Sequence, residues 1–152
     1  PPSPPTRRSY ESRLASLRGH AVIYYFDVDE FKSVNDTFGH GVGDAVLAEV
    51  GSTIYAVFSK VGYCYRIGGD EFCVIAQISD TAAEKYLSEF LRELTARRVK
   101  NEHLPHVSVG YACFNPVLGS VEDAIKRADR MMYHYKRKLK SEALTNNDTV
   151  KS

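Results

Sequence analysis

A chain of 152 residues with an ordinary globular composition makes one domain, long enough for a real hydrophobic core. Its formal net charge of +1 excludes bulk electrostatic attraction to nucleic acid or to a membrane surface. No apolar run of transmembrane length and no secretory leader stand out, so a cytoplasmic domain without membrane contact is expected. Cys64, Cys73 and Cys113 lack metal-ligand spacing. Cys64 and Cys73 could face each other across a hairpin, but free thiols are the expected state. The five histidines are scattered and form no zinc pattern. Pro rather than Met at position 1 predicts an excised domain of a longer protein, with any anchor or sensor outside it.

Residues 1–5 are Pro-rich, and the segment 1–6 is expected to be irregular. Tyr10, Leu14 and Leu17 recur at helical spacing between Arg7 and Arg18, which predicts a short amphipathic helix. Ala21 to Phe26 is a continuous apolar run of strand length, closed by Asp27. A strand apolar on both faces belongs at the centre of a sheet covered on both sides. A carboxylate at its carboxyl end is where α/β folds place ligand chemistry. Asp29 to Asp36 reads as a short helix entered by acids, broken at Gly39 to Asp44. A long helix follows to about Phe58, with Val46, Leu47, Val50, Ile54, Val57 and Phe58 on one side.

Tyr63-Cys64-Tyr65 and Cys73-Val74-Ile75-Ala76 are β-forming flanks around Arg66-Ile67-Gly68-Gly69-Asp70-Glu71-Phe72. This predicts a hairpin with a Gly-Gly turn. The glycines allow unusual backbone angles and the close approach of a ligand. Two readings of the tip stand side by side: a solvated turn, or a site built on Asp70 and Glu71. Thr81 to Glu84 has the form of a capping box. It opens a helix with Ala83, Leu87, Phe90, Leu91 and Leu94 on its apolar side. A loop at 101–105 precedes a strand from His106 to Phe114. Ser120 to Asp123 is a second capping signal, opening a last helix that buries Val121, Ile125, Ala128, Met132 and Tyr135. Residues from about Ser141 to Ser152 are polar and expected to fray.

Without the extra helices the order is β-α-β-β-α-β, an α+β, ferredoxin-like fold. In that topology strands one and three are central neighbours, so Asp27 and Asp70 should meet. Carboxylates gathered beside a glycine turn repel one another unless a cation sits among them. Oxygen ligands of this kind suit Mg²⁺, which pairs one or two carboxylates with substrate phosphates.

Gly68-Gly69-Asp70-Glu71-Phe72 is the signature that names the GGDEF family of diguanylate cyclases. The stretch from Phe26 to Asp44 resembles the family's upstream signature. Ala128-Asp129 with Tyr133 and Lys136 resembles its C-terminal one. The resemblance covers residues 7–140, leaving 1–6 and the polar tail 141–152 outside. It implies a fold similar to the nucleotidyl cyclases and the polymerase palm. It also implies a reaction, the joining of two GTP into cyclic di-GMP with release of two pyrophosphates, across a head-to-head dimer of two copies. Two Mg²⁺, with Mn²⁺ as an alternative, would serve each site.

The resemblance implies roles residue by residue. Asp27, Asp70 and the Val28 carbonyl look like metal ligands. Glu71 looks like a further ligand or the general base. Arg66 either stabilises charge on the α-phosphate or is solvated. Gly69 would let the nucleotide close to the backbone. Glu30, Phe31 and Lys32 lie in the turn after strand one, at a helix start whose amides would cradle phosphates. Lys32, Lys136 and Lys140 add positive charge. Asn35 and Asp44 look like the guanine readers, and Asp44 also suits a helix N-cap.

Three departures are visible. The Asp-x-Leu-Thr-Gly-Leu-x-Asn segment usual before the Arg7-Arg8 pair is missing from Pro1 to Thr6. Leu139-Lys140-Ser141 replaces the usual Gly-Arg-Asn, so Lys140 supplies charge without a bidentate fork. The Arg-x-x-Asp inhibitory site is absent, because Ser59 and Gly62 occupy its positions. An active cyclase, a GTP-binding regulatory module without turnover, and a non-enzymatic dimerisation domain are the three functional readings.

Overall fold

The computed structural model describes residues 7–151, with side chains from 8 to 145. The expected irregularity of 1–6 lies outside the described residues. The elements are α1 (Arg7–Ser16), β1 (Ala21–Val28), α2 (Phe31–Phe38), α3 (His40–Phe58), β2 (Gly62–Arg66), β3 (Glu71–Ala76), α4 (Ala83–Lys100), β4 (Val107–Phe114) and α5 (Val121–Lys151).

The strands form one antiparallel sheet in the order β2-β3-β1-β4. The two strands with the longest apolar runs, β1 and β3, are central, as a double-faced core requires. Strand side chains alternate between faces. Val22, Tyr24, Phe26 and Val28 point to one face and pack with Val46, Val50, Ile54 and Phe58 of α3 and Leu87, Phe90 and Leu94 of α4. Ala21 and Ile23 point to the other face, with Cys73 and Ile75 of β3, Tyr10 of α1, and Ala124 and Ala128 of α5. The same alternation sends Asp27 to the α5 side. Gly110 of β4 lets α5 come close: a Cβ there would overlap the Ala128 carbonyl and the Met132 amide.

Several local expectations are revised. The long helix α3 begins at His40, not at Asp44. Gly39 takes φ 90°, a left-handed conformation, and ends α2 and starts α3 without a longer break. Asp44 is therefore inside α3 and is not its N-cap. Thr81 does not cap α4: it sits in a 3₁₀ turn, Asp80–Ala82, with its hydroxyl 3.0 Å from that of Ser79. Glu84 instead accepts a 2.7 Å hydrogen bond from the Tyr111 hydroxyl. Ser120 does cap α5, accepting from the Asp123 amide at 3.1 Å. α1 stops at Ser16, and α5 continues helically through the polar tail to Lys151. Cys64 and Cys73 are free thiols that pack into clusters on opposite faces of the sheet, so they do not face each other. By length and composition alone α3 would pass as a membrane-crossing helix, with mean hydropathy 1.2, as the core helix of a globular domain also can. Its apolar positions are those of an amphipathic helix turned to the core.

Candidate active site

β1 delivers Asp27 to the carboxyl end of the central strand, where its side chain is only 12% exposed. In register beside it are Glu71 of β3 and Ser108 of β4. The hairpin tip folds back onto this point. The Val28 amide donates to the Asp70 carbonyl at 3.0 Å, and the Ile67 amide donates to the Glu71 carbonyl at 3.0 Å. Asp27 thus meets Asp70 and Glu71, more than forty positions further along the chain, at one end of the sheet.

The cluster carries more negative charge than its surroundings compensate. Burial raises the pKa of Asp70 first, and the charge of Asp27 adds to it. Glu71 is raised by burial, then by Asp27, Asp70 and Asp129. The cation present is Lys136 of α5, whose Nζ donates to Asp27 Oδ2 at 2.7 Å. That bond raises the lysine's own pKa. Lys136, expected to face phosphates, is therefore paired with a carboxylate here.

Three residues outside the expected set join the site. Asp29, on the same parity as Asp27, accepts from Ser108 Oγ at 2.8 Å, and burial raises its pKa. Asp129 of α5 bears on Glu71. The Asp27-x-Asp29 alternation was the legible signal for Asp29, and Asp129 stands in the C-terminal stretch Ala128-Asp129 already noted, where no role was attached to it; no local pattern announces Ser108.

The turn from β1 into α2 is strained. Glu30 takes φ 56°, the one non-glycine positive φ among the described residues. The first amides of α2, from Phe31 and Lys32, lack intrahelical carbonyl partners. Phe31 is half-buried and Lys32 exposed. At the α2–α3 junction Asn35 lies so close to Gly43 that a Cβ there would overlap its Oδ1. Asp44, next along, is exposed. Asn35 thus lies against Gly43, the residue before Asp44.

Arg66 is turned back on its own hairpin: Nη2 donates to the Gly69 carbonyl at 2.7 Å and Nε to the Gly68 carbonyl at 3.2 Å. Neither glycine has a left-handed φ, contrary to the expected Gly-Gly turn geometry. What Gly69 provides is room, since a Cβ there would meet nothing within 4 Å. Lys140 is exposed one helical turn beyond Lys136. Two surface cavities, of about 370 and 540 Å³, meet at Asp80, and none of the carboxylates Asp27, Asp70 and Glu71 lines either.

The donor set suits a hard divalent cation. It is all oxygen, it is electrostatically under-compensated, and an ammonium already stands against Asp27. Among the described residues no three acid, His or Cys side chains close into a complete ligand set. Substrate phosphates and waters would complete the shell, as is usual for Mg²⁺.

A four-stranded antiparallel sheet of this topology, with acids at the ends of its central strands, is the palm-type α+β fold. The family model described as "Diguanylate cyclase, GGDEF domain" matches residues 7–142, and the chain belongs to that family. A diguanylate cyclase of Vibrio cholerae is 29% identical over 133 residues, covering 86% of this chain and 41% of the relative. The probable diguanylate cyclase DgcC of Escherichia coli K12 is 34% identical over 143 residues, covering 86% of this chain and 38% of the relative. The chain therefore spans about two fifths of the length of these curated relatives. The GGDEF domain of DgcB from Caulobacter crescentus, solved in complex with c-di-GMP, superposes with TM-score 0.76 at 30% identity, covering 89% of this chain and 86% of that one.

Proposed function

We propose that this domain is a diguanylate cyclase, condensing two GTP into cyclic di-GMP with release of two pyrophosphates. The observation that carries the reading is the under-compensated group of Asp27, Asp70 and Glu71 at the end of the central strands. Asp27, Asp70, Glu71 and the Val28 carbonyl would hold Mg²⁺, or Mn²⁺. When bound, the cations supply acidification of the attacking 3′-hydroxyl and a clamp on the triphosphate.

The chain's own residues do the rest. Glu71, whose proton affinity is already raised, is suited to accept the 3′-hydroxyl proton. The amides at the start of α2 receive phosphate oxygens, with Lys32 and Lys140 adding charge. Lys136 neutralises Asp27 as the site stands, and with a divalent cation held by the acids its ammonium would be free to face phosphate. Arg66 fixes the turn through the Gly68 and Gly69 carbonyls, so it acts by positioning Asp70. Gly69 leaves open space for the nucleotide. Phe31 packs behind the phosphate loop. Asn35 and Asp44 read guanine: the carboxylate accepts from N1–H and the 2-amino group, which adenine lacks at those positions. A second copy of the domain presents the second GTP.

The test is incubation with GTP and Mg²⁺, scored for pyrophosphate and cyclic di-GMP. GTP binding without product would leave a GTP-binding module, and no binding would overturn the reading. Asp44→Ser should relax the preference for GTP over ATP, which for a site built to hydrogen-bond a group reaches about 10⁴–10⁵. Unchanged discrimination in that variant would remove Asp44 from the base pocket.

A further inference from the structure

The chain is nearly neutral overall, but its charge is unevenly placed. Between positions 126 and 140 stand seven Lys and Arg against one Asp. Lys126, Arg130, Tyr133, Arg137 and Lys140 follow one another at steps of four, three, four and three, so they share one stripe along α5. All five are exposed. The Arg137 guanidinium lies over the Tyr133 ring at 5.9 Å. The salt bridges that α5 makes among the described residues use Arg127 and Lys136, which are off this stripe. The stripe borders the side of α5 that meets the acids, where Asp129 bears on Glu71 and Lys136 holds Asp27.

The site itself has the opposite sign. Asp27, Asp29, Asp70, Glu71 and Asp129 crowd within electrostatic reach of one another. A nucleoside triphosphate is a polyanion, and such a cluster repels it on approach. We propose that Lys126, Arg130 and Arg137 of this exposed stripe form an electrostatic landing strip that draws the triphosphate toward the site, raising its rate of capture without holding it once bound, while Lys140 at its end keeps the phosphate-binding part given it above. This rests on the GTP reading above. Charge arranged beside a site raises on-rates by about 10–10³ and loses that effect in salt. Single exposed charges add little to a bound complex.

The test uses stopped-flow binding of a 3′-O-labelled fluorescent GTP, which has no free 3′-hydroxyl and cannot turn over. The variant is the triple Lys126→Gln, Arg130→Gln, Arg137→Gln. The control is the triple Lys60→Gln, Lys85→Gln, Arg92→Gln, which removes as much charge at exposed positions after α3 and on α4. Circular dichroism confirms that both fold. At low salt the α5 triple should associate about three- to tenfold more slowly than wild type. Its dissociation rate should stay within about twofold, and the difference should vanish near 1 M salt, where screening acts over about 3 Å. The control should change little. Equal association rates for wild type and the α5 triple, or equal slowing in both triples, would overturn the proposal. Loss of binding to anionic phospholipid vesicles with an unchanged nucleotide on-rate would overturn it too, and assign the stripe to a lipid surface. Failure of the labelled nucleotide to bind wild type at all would remove the GTP reading itself, and this proposal with it.

Discussion

Asp70 keeps its proton more readily in the folded chain than in the unfolded one, because burial and the charge of Asp27 both oppose ionisation. Glu71 does the same. A carboxyl with a raised folded pKa costs stability once it ionises. Stability of the metal-free domain should therefore fall as pH rises from the ordinary carboxylate value through the raised one, and the cost is complete above it. Asp70→Asn removes part of that cost. In chelator-treated protein it should melt at or above the wild-type temperature at pH 7, with a flatter dependence on pH across the carboxylate range. Pyrophosphate release from GTP with Mg²⁺ should be lost in the same variant, because an oxygen ligand has become an amide. Full activity, or a melting point several degrees lower, would contradict the assignment.

At the scale of elements, the sheet and α5 hold the site together through Gly110. A Cβ at that position would overlap backbone atoms of α5, which cannot move aside as a flexible side chain would. Gly110→Ala should cost about 1–3 kcal/mol, read by urea unfolding. It should also reduce turnover, since Lys136 rides on the displaced helix. Wild-type stability would mean that α5 tilts away without penalty. β2 sets a second constraint. A Cβ at Gly62 would overlap the Ile75 carbonyl and Ala76 of the paired strand β3. An acid is therefore excluded there by packing, and Ser59 offers only a hydroxyl. Neither supplies a charge-assisted contact, worth about 1.5–3 kcal/mol each. Inhibition by added cyclic di-GMP should be competitive with GTP. The pair Ser59→Arg and Gly62→Asp should destabilise the fold rather than create a remote product site. A non-competitive pattern in the wild-type domain would refute this.

At the scale of the whole molecule, the proposed cyclase reading gives one domain one group of acids and one base-reading pair. Joining two GTP then needs two copies face to face, a two-fold arrangement. Specific activity should rise with protein concentration, and fusion to a dimeric coiled coil should raise it further at high dilution. Constant specific activity across a wide dilution series, with a monomer seen by sedimentation, would argue against the dimer.

The features legible in the sequence are those with local causes. The apolar runs of β1 and β3, the glycines and acids of the hairpin, and the Ser120 cap each rest on neighbouring residues, so pattern alone placed them. The strand order followed from the element order, and with it the meeting of Asp27 and Asp70. Tertiary structure decided the rest. Lys136 reaches Asp27 across 109 positions, and Asp129 acts on Glu71 only because α5 lies against Gly110. The start of α3 at His40 depends on the left-handed turn at Gly39, which carries the chain between helices without the longer break expected. Thr81 stands in the 3₁₀ turn ahead of α4, while Glu84 pairs with the remote Tyr111. In each case the deciding partner was remote in the chain, or the backbone angle belonged to one residue, and residue spacing encodes neither.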